Sequence, residues 1–193
     1  MTKDRLEAFS DGVLAIIITI MVLELKAPHD PSPAALVALA PVLLSYLLSF
    51  IYIGIYWNNH HHMFHAIQQV SGGVLWANLH LLFWLSLIPF VTAWMGENKF
   101  AQWPVFFYAL VLLCSAAAYA ILARTLIAAN GRESPLARAI GTDIKGNVSL
   151  AVYVASLLLT FWNPRVACIG FVVVALMWLV PDRRIEKEMP EIK

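Results

Sequence analysis

Four histidines fall within six consecutive positions, His60, His61, His62 and His65, in the run WNNHHHMFH that begins at Trp57. Imidazole binds zinc, copper and iron, so one reading of this run is a metal site and a His-dependent metal transporter. The other is a helix-end cluster that hydrogen-bonds to neighbouring elements and to water. No cysteine or CxxC spacing lies nearby to favour the metal. Cys114 and Cys168 both sit inside apolar runs, as small packed hydrophobes. Only Glu7, Asp11 and Glu24 place carboxylates on apolar stretches, all towards the ends of the first one. That leaves no midplane acid for a proton-coupled transporter. Paired catalytic carboxylates, nucleophile–base sets, phosphate loops and a TVGYG-like filter are all missing, so the pattern is not that of an enzyme or of a standard potassium channel. Asp11 beside a histidine or an indole N–H would form a lock, because a carboxylate at a membrane edge must be paired.

The elements that must position these residues are helices in a bilayer. The 193 residues are 61% hydrophobic, with a mean hydropathy of +0.74 and a formal charge of +1. Apolar runs recur along the whole length, which predicts an all-α polytopic membrane protein in a single domain, 1–193. Spans are expected at about 5–25, 35–57, 74–94, 103–123, 148–162 and 166–180. Pro41 falls in the first turns of the second span, and Pro89 predicts a kink in the third. The histidine run is expected on a polar connection between the second and third. The first span starts near Asp4, and Glu7 three residues on completes a capping-box-like start. Basic residues are scattered, so no nucleic-acid footprint is present.

Charge sets the orientation. Arg124, Arg132, Arg138, Lys145, Arg183, Arg184 and Lys187 share one side with both termini, against Lys26, Lys99 and Arg165 on the other. The positive-inside rule then puts both termini in the cytoplasm of a multi-pass cell-membrane protein.

On the first span, Arg5, Phe9, Gly12, Ile16, Thr19, Ile20 and Leu23 form one stripe at helical spacing, while Ser10 and Asp11 lie on the far side. A helix with two such faces needs two kinds of partner, a pore on one side and the protein on the other. Thr19 has two readings, a back-bonded packing hydroxyl or a pore-lining one. Glu24 is either an outer-mouth carboxylate or a solvated helix end.

Arg5, Phe9, Ser10 and Asp11 spell R-x-x-x-F-S-D before an apolar helix; Trp57, Asn59, His60 and His61 spell W-x-N-H-H; Leu87, Pro89, Phe90 and Thr92 spell L-x-P-F-x-T. Together they resemble the transmembrane protein 175 family, potassium channels that lack a standard filter. The likeness covers most of the first half of the chain; the second half agrees in span count and loop length. It implies a homotetramer of single six-helix repeats in the lipid bilayer, with the first helix of each subunit lining a central pore. By position, Ile16, Ile20 and Leu23 match a hydrophobic constriction and Thr19 a hydroxyl layer linked to potassium preference. Arg5, Phe9, Ser10, Asp11, Trp57, Asn59, His60 and His61 match a network that locks the pore helix. His62 has no counterpart role. The implied activity is passage of K+, with modest preference over Na+ and other monovalent cations, and no cofactor. A dry neck of Ile16 and Leu23 would gate by dewetting. Arg5 is expected to be paired with protein acceptors, since four bare arginines would repel cations.

Overall fold

The computed structural model describes residues 2–141 and 143–179. Arg183, Arg184 and Lys187 lie outside them. Helices α1 (Lys3–Leu23), α2 (Pro33–Ala38), α3 (Ala40–His65), α4 (Gly72–Ser86), α5 (Ile88–Glu97), α6 (Gln102–Asn130), α7 (Pro135–Ile140), α8 (Ile144–Leu159) and α9 (Pro164–Leu179) are joined by short turns. No strand occurs among the described residues. Helix α3 packs against α1, α5 and α9, and α6 packs against α4, α5, α8 and α9. Four helical stretches are long and apolar enough to cross a membrane: Lys3–Leu23, Ala40–His65, Gly72–Glu97 and Gln102–Asn130. Helix α8, at 16 residues, and the described part of α9, Pro164–Leu179, are apolar but shorter.

Prolines divide the chain where the missing N–H and the fixed φ forbid an unbroken helix. The expected second span is cut at Leu39, and Pro41 opens α3. Pro89 opens α5 just after the break at Leu87, so α4 and α5 form one kinked unit. Gly96 lets α5 approach α3: a Cβ there would stand 2.8 Å from the Val42 Cα and collide with the Ser45 hydroxyl. Just inside this approach, Thr92 donates to the Ile88 carbonyl (2.6 Å) and lies 2.7 Å from the Ser49 hydroxyl. Ser49 in turn meets the Tyr108 hydroxyl at 2.9 Å. All three side chains are buried, so this hydroxyl chain ties α3, α5 and α6 together where lipid offers no partners.

Two local expectations change. The histidine run lies on α3, which continues through His65, instead of on a connection. At 26 residues α3 is about 39 Å long, so its last turns reach beyond a hydrocarbon core of about 30 Å. The capping box does not form either: the N-cap of α1 is Thr2, without a side-chain cap, and the Glu7 carboxylate is used elsewhere. The turn after α3 is fastened by Asn130, whose amide oxygen accepts from the backbone N–H groups of Gln68 and Gln69.

Candidate functional site

Helix α1 has two faces. Leu6, Ser10, Leu14, Ile17 and Met21 are buried against α3, α4 and α5. Arg5, Phe9, Gly12, Ile16, Thr19, Ile20 and Leu23 are all exposed, and Leu23 is the most open of the large apolar ones, at 77%. The predicted stripe is therefore the side of α1 that its own chain leaves uncovered. Beside it, Ile16 and Ile20 share an open groove with Pro89, Phe90 and Ala93 at the α4–α5 break. The Thr19 hydroxyl donates to the Ile16 carbonyl at 2.9 Å. That bond consumes its hydrogen and leaves oxygen lone pairs facing outwards. Glu24 also lines the groove, next to an exposed Lys26–Glu97 pair at 3.8 Å that joins the end of α1 to that of α5.

The buried face is held by three polar links near the N-terminal end. The Trp57 indole N–H donates to Asp11 Oδ1 at 3.1 Å. One turn earlier, His61 Nδ1 meets Glu7 Oε1 at 3.0 Å. Deepest is a chain through Asn78 of α4. Its amide N–H donates to Ser10 Oγ (2.9 Å), Ser10 donates to the Leu6 carbonyl (2.9 Å), and His60 Nε2 lies 2.8 Å from Asn78 Oδ1. Ser10, His60 and Asn78 are fully buried. The directions follow from one another. Ser10 has spent its hydrogen on Leu6, so Asn78 must turn its NH2 to Ser10 and its oxygen to His60. The histidine therefore carries its hydrogen on Nε2. His60 Nδ1 is then a bare acceptor, buried and without a hydrogen-bond partner among the described residues, with the ring stacked on Phe64 at 4.3 Å.

Of the residues assigned to the lock, Ser10, Asp11, Trp57, His60 and His61 meet in these links. Arg5 and Phe9 do not: both sit on the exposed stripe, and Arg5 has no bonded partner among the described residues. The expected pairing of Arg5 is not made within the chain. Asn59 also stands apart, because one residue along a helix turns a side chain by about 100°. Its amide donates to the Ile55 carbonyl, and it lines a cavity with Tyr56, Tyr119 and Tyr153 on the far side of α3. Two participants lie outside that set, Asn78 and Glu7. The signal for Asn78 was an amide in the apolar run VLWANLHLL, since a polar group at membrane depth must find a partner. That for Glu7 was the spacing Glu7, Ser10, Asp11, Leu14, one inward face at i, i+3, i+4 and i+7.

The histidines thus separate by direction. His60 enters the buried chain, while His61 and His65, one turn apart on α3, face Glu7. His62 stands edge-on to His61, with ring centroids 5.8 Å apart.

Comparison with known proteins identifies the family. The profile of the family described as "Endosomal/lysosomal potassium channel TMEM175" matches residues 5–89, the part that contains α1, α3, α4 and all three links. A protein of Chryseobacterium sp. (strain P1-3) named as a potassium channel is 54% identical over 99% of this chain and 100% of its own length. The mouse protein named endosomal/lysosomal proton channel TMEM175 is 31% identical over 54% of this chain but only 23% of its own length. Among solved structures, the crystal structure of a lysosomal potassium-selective channel TMEM175 homolog from Chamaesiphon minutus superposes with a TM-score of 0.83. It is 28% identical, over 93% of this chain and 97% of that one. These relatives are channels by name, not enzymes, and the near-complete match to the Chryseobacterium protein makes this chain a member of the TMEM175 family.

Proposed function

We propose that the protein is a potassium-permeable cation channel of the cell membrane, in which four copies place their α1 helices around one pore. The observation that carries this reading is the exposed stripe of α1. A pore helix must be locked to its own subunit on one side and bare on the other, and α1 has this division. Exposed apolar residues alone would equally suit lipid. Thr19 on the same stripe would not, because polar groups avoid the lipid face. The names of the full-length and structural relatives support K+ as the permeant ion.

In this reading Ile16, Ile20 and Leu23 form the constriction. Four copies of each, brought close, make a neck too apolar to hold water, and it conducts only when widened. Thr19 supplies oxygen in place of part of the ion's hydration shell, which favours weakly hydrated K+ over Na+. The lock anchors the N-terminal end of α1 through Ser10, Asp11 and Glu7, so the neck moves with α3 and α4. Both termini are cytoplasmic, with Arg124, Arg132, Arg138 and Lys145 at that end. No cofactor enters.

Single-channel recording of purified protein in planar bilayers tests the proposal. A K+-carrying conductance is expected, and Ile16→Asn, which lets water into the neck, raises the open fraction. Silence under a K+ gradient overturns the channel; an Ile16→Asn open fraction equal to that of the unaltered protein removes Ile16 from the constriction.

A further inference from the structure

The Glu7 carboxylate has an unusual environment. Its side chain is only 15% exposed, and no lysine or arginine among the described residues pairs with it. Lys3, one turn earlier on α1, points its ammonium to the Ile67 carbonyl instead, at 3.4 Å. What faces Glu7 is imidazole: His61 Nδ1 at 3.0 Å, and His65 one helical turn further along α3, with the two rings edge to face at 4.3 Å between centroids. One ligand atom from each of the three residues lies within 4.8 Å of the others. A largely buried carboxylate with no lysine or arginine beside it calls for a compensating positive charge. Either a proton shared with His61 provides it or a metal ion does.

We propose that Glu7, His61 and His65 form a transition-metal site that bridges α1 to α3. The donor set is two imidazole nitrogens and one carboxylate oxygen, which suits zinc and its borderline neighbours cobalt and nickel and is too nitrogen-rich for calcium or magnesium. Metal–ligand bonds of about 2.0–2.1 Å place tetrahedral ligand atoms roughly 3.3 Å apart. The observed spacing therefore closes by rotation of the exposed His65 side chain, with no movement of the helices. The spacing is favourable because His61 and His65 are i and i+4 on one helix, so both rings project to the same face. Metal takes the place of the Nδ1 hydrogen of His61, and the neutral ring then keeps its hydrogen on Nε2. Three protein ligands leave a fourth position for water. His60 is not a ligand: Asn78 holds its Nε2, and its Nδ1 is buried elsewhere. Such an ion would clamp the N-terminal end of α1 to α3 one turn before the Asp11–Trp57 bond, whether or not the protein conducts.

The test is calorimetric titration of the full-length protein in detergent with Zn2+, and its visible absorption with Co2+. One saturable ion per chain is expected, with the intense d–d bands of a four-coordinate cobalt site. Partners beyond the direct ligands are worth 10–100-fold in affinity. Loss of a direct ligand in His65→Ala or in Glu7→Gln should therefore weaken binding by about tenfold or more. His80→Ala, on the exposed surface of α4, should leave it unchanged. His65 is exposed, so His65→Ala keeps the fold, and an unaltered elution volume verifies this. No saturable binding overturns the site, as does equal affinity of the unaltered protein and His65→Ala.

Discussion

Thr19 is the residue on which ion preference turns in the proposed pore. Its hydroxyl hydrogen is already committed to the Ile16 carbonyl, so only its oxygen can meet a cation, in a fixed direction set by the helix. Thr19→Val keeps the shape and removes that oxygen. The expected outcome is a fall in the K+-to-Na+ permeability ratio, read from reversal potentials under bi-ionic conditions, with little change in expression or oligomer size. An unchanged ratio would assign the preference to another layer. At this scale the stripe was readable in the sequence, because helical spacing alone puts Ile16, Thr19, Ile20 and Leu23 on one line. Arg5 and Phe9 stay outside the links made within the chain for a related reason. A motif groups neighbours in sequence, whereas the helix sends Arg5 and Phe9 one way and Ser10 and Asp11 the other.

Between elements, the decisive connection is the one Asn78 makes. It bridges Ser10 on α1 to His60 on α3 from a position on α4, and all three groups are buried. Asn78→Ala would leave the His60 N–H without an acceptor, and Ser10 would lose its donor. Unsatisfied buried groups cost about 1–3 kcal/mol in general, and interhelical hydrogen bonds in membranes average nearer 0.6 kcal/mol. A loss of about 1–2 kcal/mol is therefore expected, seen as a lower midpoint in thermal unfolding in detergent. Asn78→Asp keeps an acceptor for His60 but sets an oxygen against Ser10 Oγ and buries a carboxylate, so it should lose at least as much. Equal stability of Asn78→Ala and the unaltered protein would show that the chain carries no load. This link was hard to read from sequence because Ser10 and Asn78 are 68 positions apart and neither belongs to a chemically conspicuous pair. The Pro89 kink was easy, since its cause is local. The length of α3 was hidden by the polarity of its last turns, which looks like a loop until the helix is seen to reach past the apolar layer.

For the molecule as a whole, one subunit cannot enclose a pore with a single exposed helix face. Mass measurement of the detergent-solubilised protein should give four chains, and a stable monomer would defeat the central-pore arrangement. The subunit is also unequal across its width. Helix α6, with 29 residues, is about 43 Å long, whereas α8, with 16, reaches only about 24 Å. A hydrocarbon layer of about 30 Å therefore overhangs α8 by several ångströms, and each ångström of mismatch costs a fraction of a kcal/mol. The lipids beside it must thin or splay their chains to follow the short helix. Acyl-chain length in the host membrane thus becomes a mechanical load applied to one flank of every subunit.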